Sequence, residues 1–91
     1  MSLLFEWDRT KANANLKKHK ISFEEASSIF GDPMSVTIDG PQVRSMECRF
    51  ITIGRSVLGQ LVVVVHTDRN DKIRIISARK ATRAERSQYE R

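Results

Sequence analysis

The most constraining feature of the chain is an uninterrupted run of apolar, β-favouring residues at positions 61–65, Leu-Val-Val-Val-Val. Such a run is apolar on both faces of a pleated strand, which predicts a central strand covered on at least one side. Further strands are predicted at 34–38, 49–54 and 72–79. The connectors 55–60 and 68–71 are short enough for consecutive hairpins, so the sequence predicts an antiparallel meander.

A helix is predicted before this meander. A short apolar strand at residues 3–7 leads to Asp8, whose carboxylate can accept hydrogen bonds from the unpaired N–H groups at a helix start. We therefore expect a helix over residues 8–19. Ala12 and Leu16 are four residues apart, and we expect this pair to face the core.

Two further helices are predicted from capping-box patterns. Ser22 with Glu25 marks the start of a helix that reaches about residue 30, and Thr82 with Glu85 starts a last helix that extends toward Arg91. The last helix has few apolar residues to bury. The expected fold class is α+β, in one domain over residues 1–91: two N-terminal helices packed on a mostly antiparallel sheet, with a C-terminal helix.

The net charge of +5 is concentrated at one end of the chain. Residues 1–68 hold eight Lys/Arg and eight Asp/Glu, whereas residues 69–91 hold eight Lys/Arg and three Asp/Glu. The whole surplus therefore lies in the last 23 residues. A local positive field favours phosphate polymers or acidic proteins, and the alternative is a solvated basic tail.

Several site classes and locations are disfavoured by composition. The two histidines and the single cysteine, Cys48, are scattered and match no metal-site spacing, so no metal and no cofactor are expected. No nucleophile-elbow motif is present. The longest apolar run is far shorter than the roughly 20 residues of a membrane span. A lone cysteine suits a reducing cytoplasm, which is the expected location.

The candidate anion-binding residues lie where the predicted last strand meets the last helix. Arg79, Lys80 and Arg83 bracket the helix start, where the helix dipole makes clustered cations unfavourable unless an anion is bound. Strict alternation along strand 72–79 places Arg74 on the face opposite Arg79. A phosphate site and an ordinary solvated helix start both fit the pattern, and Arg74 fits a phosphate contact or an arginine on an open face.

The two histidines are candidates for proton transfer. His66 follows the valine-rich strand, and its imidazole could exchange a proton near neutral pH, although a core histidine is the more common arrangement. His19 lies beside Lys18 at the predicted end of the first helix, where a helix-capping role is the alternative.

Short motifs along nearly the whole chain form a specific combination. They are Phe5-Glu6-Trp7-Asp8 with Lys11 and Asn15, Lys18-His19, Phe23-Glu24-Glu25-Ala26, Arg49-Phe50, Ile53-Gly54, Arg74-Ile75-Ile76-Ser77-Ala78-Arg79, and Ala81-Thr82-Arg83 with Glu85 and Tyr89. Together they resemble the BrnT toxins of type II toxin–antitoxin systems.

This resemblance implies a RelE-like fold and a metal-independent endoribonuclease that halts translation. It also implies neutralisation by a BrnA-type antitoxin with a DNA-binding portion, in a toxin dimer or a toxin–antitoxin heterotetramer. Cleavage would begin with attack of a ribose 2′-OH on phosphorus. The residues expected to act fall into three groups: charge stabilisers, proton-transfer groups and RNA-positioning groups. They are Arg74, Arg79 and Arg83; His19 or His66 with Lys18; and Arg49, Lys80 and Tyr89.

Two other classes of function remain open from the residues alone. A non-catalytic nucleic-acid-binding or regulatory module would use the same basic segment for phosphate contacts. A protein-interaction domain would use it to dock an acidic partner segment.

Overall fold

The structure is a computed structural model that describes residues 3–40 and 48–90. Its elements, in chain order, are β1 (Phe5–Glu6), α1 (Arg9–His19), α2 (Phe23–Ser28), a 3-10 turn (Ile29–Gly31), β2 (Val36–Asp39), β3 (Arg49–Arg55), β4 (Leu61–Arg69), β5 (Lys72–Lys80) and α3 (Arg83–Tyr89).

The strands of the described residues form one sheet in the order β1-β5-β4-β3-β2. Strands β2 to β5 pair antiparallel with their neighbours, and β1 pairs parallel to β5. The expected α+β class and the meander with a central β4 are confirmed. β2 begins at Val36 rather than at 34, because Asp32 accepts hydrogen bonds from the N–H groups of Met34 and Ser35 and holds a turn there. The predicted extension of α3 to Arg91 lies outside the described residues.

The core lies on both sides of β4. On one side, α1 and α2 cover the sheet. That cluster consists of Ile21, Phe23, Ala26, Ile29, Val62, Val64, Ile75 and Ala78. On the other side, a smaller cluster of Ile53, Leu61 and Val63 packs against Tyr89 of α3. Alternate residues of β4 therefore enter different clusters, as expected for a strand that is apolar on both faces.

The side chain by which α1 meets the sheet is polar. Leu16, predicted to face the core, is 47% exposed, whereas Asn15 is 8% exposed. The Asn15 amide donates to the carbonyls of Ile21 (3.0 Å) and Ala78 (2.8 Å) and accepts from the N–H of Ala78 (3.1 Å). The prediction for Leu16 is wrong because the edge of β5 presents backbone polar groups here, and an amide satisfies them.

The predicted capping boxes differ in outcome. At α3, Thr82 and Glu85 make both reciprocal bonds. At α2, Ser22 accepts from the N–H of Glu25, but the Glu25 carboxylate turns away to accept from Ser56 (2.7 Å) and Gln60 (2.8 Å). Glu25 thereby links α2 to the β3–β4 hairpin.

None of the helices in residues 3–40 and 48–90 has both the length and the apolarity to cross a membrane, the longest having 11 residues.

Candidate active site

Strands β3 and β5 each place two arginines on one face of the sheet. We call the face opposite α1 and α2 the arginine face. It carries Arg49 and Arg55 of β3 and Arg74 and Arg79 of β5. Arg49 and Arg55 are an even number of residues from Ile53 along β3, so their side chains lie on the same face as that of Ile53. Arg79 of β5 pairs with Val63 of β4. Ile53 and Val63 pair with each other and belong to the cluster under α3, which places these three arginines on that face.

A β-bulge decides that Arg74 and Arg79 share this face. Val65 pairs with Ser77, but the next β4 residue, His66, pairs with Ile75, so that β5 has one extra residue at this point. Five positions then separate two side chains on the same face. Ile75 and Ala78 both lie in the helix-side cluster for the same reason. The expectation that Arg74 and Arg79 lie on opposite faces is therefore wrong.

Arg74 and Arg49 belong to one cross-strand row. Thr67 of β4 pairs with Arg74 on one side and with Arg49 on the other, which spaces the two arginines by two strands, about 10 Å. Glu6 of β1 pairs with Arg74 at the end of the row, and Glu6 Oε2 accepts from Arg74 Nη1 at 3.2 Å. Arg74 is thus oriented by a partly buried carboxylate.

Arg49 carries a buried donor. Its Nε atom is buried and has no acceptor among the described residues. A buried N–H without an acceptor costs about 1–3 kcal/mol, which an anion bound on this face would reduce.

Arg79 is held by a carboxylate from α3. Its Nη1 and Nη2 donate to Glu85 Oε1 and Oε2, both at 2.7 Å, in a bidentate fork. The hydrogen bonds from Arg79 lower the pKa of Glu85 to about 2, and the same bonds raise the pKa of Arg79. Glu85 Oε1 also accepts from the N–H of Thr82 at 2.8 Å, completing the capping box.

The expected phosphate site at the start of α3 is therefore filled from within. The carboxylate of Glu85 takes the position beside Arg79 and the free backbone N–H groups that an external anion was expected to take. Arg83 and Lys80 are exposed and make no side-chain hydrogen bond or ion pair with any other described residue. By register, Lys80 pairs with Val62 and so falls on the helix side of the sheet.

Tyr89 fastens the end of α3 to the sheet. Its hydroxyl donates to Asp32 Oδ2 at 2.6 Å, and the guanidinium carbon of Arg55 lies 5.8 Å from the centre of its ring. Asp32 Oδ2 also accepts from the N–H of Arg55 at 2.8 Å. The bond from Tyr89 lowers the pKa of Asp32 and raises the pKa of Tyr89. Sequence reasoning missed Arg55 and Asp32, although alternation from Arg49 along β3 predicts the face of Arg55.

His66 lies away from these arginines. It is 5% exposed on the helix side, stacked on Phe50 and edge-on to Phe30. Its Nε2 is 2.7 Å from Thr52 Oγ1, and its buried Nδ1 has no partner in the described part of the chain. Burial lowers the pKa of the imidazole. This environment is that of a neutral core histidine.

Lys18 and His19 occupy the last turn of α1, with Lys18 exposed and His19 half-buried. Asn15 fixes α1 along the edge of β5 at Ala78, and His19 follows one helical turn later. No hydrogen bond or ion pair among the described residues joins either side chain to Arg74 or Arg79. Within these residues, no three His, Cys, Asp or Glu side chains converge to hold a metal ion.

A comparison with solved structures finds a similar fold. The crystal structure of the Brucella abortus ribonuclease toxin BrnT superposes with a TM-score of 0.64, covering 90% of this chain and 100% of that chain. The two sequences are 19% identical, so this likeness concerns the fold. No curated protein sequence matches the chain.

A family model assigns the sequence directly. The model described as the ribonuclease toxin BrnT of type II toxin–antitoxin systems matches residues 7–85, which run from the residue after β1 to the first turn of α3 and include Arg49, Arg74 and Arg79. The chain therefore belongs to the BrnT family of ribonuclease toxins, which type II systems pair with a cognate antitoxin.

Proposed function

We propose that the arginine face binds RNA and cleaves it without a metal ion. The observation that carries this proposal is the bulge in β5, which brings Arg74 and Arg79 to one open face beside Arg49. Several guanidinium groups on one surface suit a phosphate backbone, because each can donate two parallel hydrogen bonds to phosphate oxygens.

In the proposed reaction, a ribose 2′-oxygen attacks the adjacent phosphorus, and the bond to the 5′-oxygen breaks. Negative charge grows on the non-bridging oxygens as the phosphorane forms. Arg74 and Arg79 stabilise that charge, and Arg74 does so at low reorganisation cost because Glu6 holds its guanidinium group in place. The cationic groups thus supply the electrostatic part that a metal ion supplies in other nucleases.

RNA positioning falls to the residues around this pair. Arg49 offers its buried Nε–H from β3, two strands away from β5, and Arg55 and Tyr89 bound the face where α3 crosses it. Arg83, exposed in the first turn of α3, extends the positive surface at the rim, whereas Lys80, on the helix side of the sheet, receives no role on this face. We assign the remaining residues to backbone contacts, which fix the register of the strand without reading its bases.

Proton transfer is assigned to His19 with Lys18. Asn15 anchors α1 at Ala78, the residue before Arg79 on β5, and His19 lies one helical turn after Asn15. His66 receives no role in the reaction, because it is buried among Phe30, Phe50 and Thr52 on the helix side.

The domain is proposed to comprise the whole of residues 1–91. Its cognate antitoxin is proposed to be of the BrnA type, with a DNA-binding portion, and to cover the arginine face in a heterotetramer. A positive face whose arginines already donate hydrogen bonds to carboxylates suits an acidic antitoxin segment.

The decisive experiment measures cleavage of single-stranded RNA by the purified protein in EDTA. Full activity is expected, and a strict dependence of cleavage on added Mg²⁺ would contradict the metal-free mechanism. Arg74→Gln and Arg79→Gln are each expected to lower kcat by about 10²–10³-fold, as for loss of one transition-state donor. The matched control is Arg9→Gln, the same change on exposed α1. RNA binding without turnover by the wild type would instead favour a non-catalytic binding module.

A further inference from the structure

Glu85 occupies the part of Arg79 that a phosphate would use. Two parallel N–H···O bonds of 2.7 Å join Nη1 and Nη2 to the two carboxylate oxygens. A phosphate presents two oxygens to a guanidinium in the same planar, bidentate way. The carboxylate and a phosphate therefore compete for one pair of donors.

The Glu85 carboxylate keeps one hydrogen-bond partner when it leaves Arg79. Glu85 Oε1 also accepts from the N–H of Thr82 at 2.8 Å, and that bond does not depend on Arg79. No residue of α3, over 83–89, is buried, and a rotamer change of Glu85 leaves the Tyr89–Asp32 bond that fastens the helix in place. The Arg79 side chain is 43% exposed and the Glu85 side chain 23% exposed, so the pair is accessible from solvent.

We propose that Glu85 is a built-in counter-ion that an RNA phosphate must displace from Arg79, so that Glu85 sets the affinity of the arginine face for RNA. This proposal rests on the proposed RNA site. Displacement favours ligands that also reach Arg74 and Arg49. A single anion that binds only Arg79 replaces the bidentate Arg79–Glu85 pair by another bidentate pair, with little net gain. Glu85 thus selects for polymers over free nucleotides.

The test uses a fluorescein-labelled, single-stranded 2′-O-methyl oligonucleotide, which lacks the attacking hydroxyl and cannot be cleaved. Glu85→Gln keeps a side-chain acceptor at the capping position but removes the charge. The matched control is Glu90→Gln, which removes the same charge from the exposed Arg86–Glu90 pair (3.8 Å) at the end of α3. Circular dichroism and the melting temperature of each variant report whether α3 and the fold are kept.

Glu85→Gln is expected to lower Kd by roughly two- to fivefold, the range of a partly exposed ion pair. The salt dependence of log K should steepen by up to about 0.7 in the variant, because one more phosphate is neutralised without release of a carboxylate. For Glu90→Gln, the change in log Kd should be less than half of the change for Glu85→Gln, since the charge of the exposed Glu90 is screened at physiological salt.

A double-mutant cycle separates the two proposals. In an Arg79→Gln background, Glu85→Gln should leave Kd unchanged, because the fork for which the two anions compete is gone. If the Glu85→Gln protein binds RNA no tighter than the Glu90→Gln protein, the counter-ion role of Glu85 is wrong. In that case a loss of affinity in Arg79→Gln still supports the RNA site. If Arg79→Gln binds like the wild type, both proposals fall.

Discussion

Asn15 is expected to be among the most stabilising polar side chains of the protein. The short β1 pairs with β5 only at Ile73 and Arg74, so the edge of β5 at Ala78 has no strand beside it among the described residues. The Asn15 amide fills this place: its oxygen and nitrogen bond the N–H and C=O of Ala78 as a neighbouring peptide unit would. A third bond, to the carbonyl of Ile21, fastens the end of α1.

Asn15→Ala removes all three bonds. At a net value of about 1 kcal/mol each, their loss lowers the free energy of unfolding by about 3 kcal/mol, and the higher helix propensity of alanine offsets only about 0.5 kcal/mol of this. Asn15→Asp should be at least as destabilising, because a carboxylate cannot donate to the carbonyls of Ile21 and Ala78 and brings a charge into a buried position.

The assay is urea unfolding at pH 7, followed by the fluorescence of Trp7, which packs edge-on against buried Phe23 with 5.9 Å between ring centres. The midpoint should fall while the slope m stays constant. Asn13→Ala, the same change at an exposed position of α1, is the control and should shift stability by less than about 0.5 kcal/mol. A loss below about 1 kcal/mol for Asn15→Ala at unchanged m would refute the strand-mimic role.

Further measurements probe packing and charge. Gly54→Ala should cost about 1–3 kcal/mol, because its Cβ would lie 3.0 Å from the Cβ of Ile29; Gly31→Ala, whose Cβ meets nothing within 4 Å, is the control in the same unfolding assay. Burial lowers the pKa of His66 below 6.5, so the unfolded state binds its proton first, and stability should decline as pH falls below 6.5 by up to about 1.4 kcal/mol per unit; an equal slope in His66→Gln would contradict this. The pKa of Glu85 is about 2 against 4.5 unfolded, so its stabilising contribution should be present above pH 4.5 and lost toward pH 2, and Glu85→Gln should lack this acid phase.

The arginine face could be predicted from the sequence only in part. The concentration of cations over residues 69–91 and the family motifs pointed to Arg74 and Arg79. Arg55 was missed, although alternation along β3 would have placed it on the same face as Arg49. The partners of these arginines were out of reach. Glu6 lies 68 residues from Arg74 in the sequence. Glu85 accepts hydrogen bonds from both the N–H of Thr82 and the guanidinium of Arg79, and the second contact depends on where β5 ends.

The fold was more accessible than the site. Local patterns determine the elements: the valine run makes β4, Asp8 and Thr82 begin helices, and the short connectors make a meander. These effects act over a few residues, so the sequence by itself determined the α+β class, the central strand and the basic C-terminal quarter. Tertiary structure decided which faces the side chains take. One extra residue in β5 inverts the alternation between Ile75 and Ser77. Because β1 is short, the backbone of Ala78 at the edge of β5 has no strand partner on that side, and the buried Asn15 bonds it where the sequence pattern favoured Leu16 as the core residue.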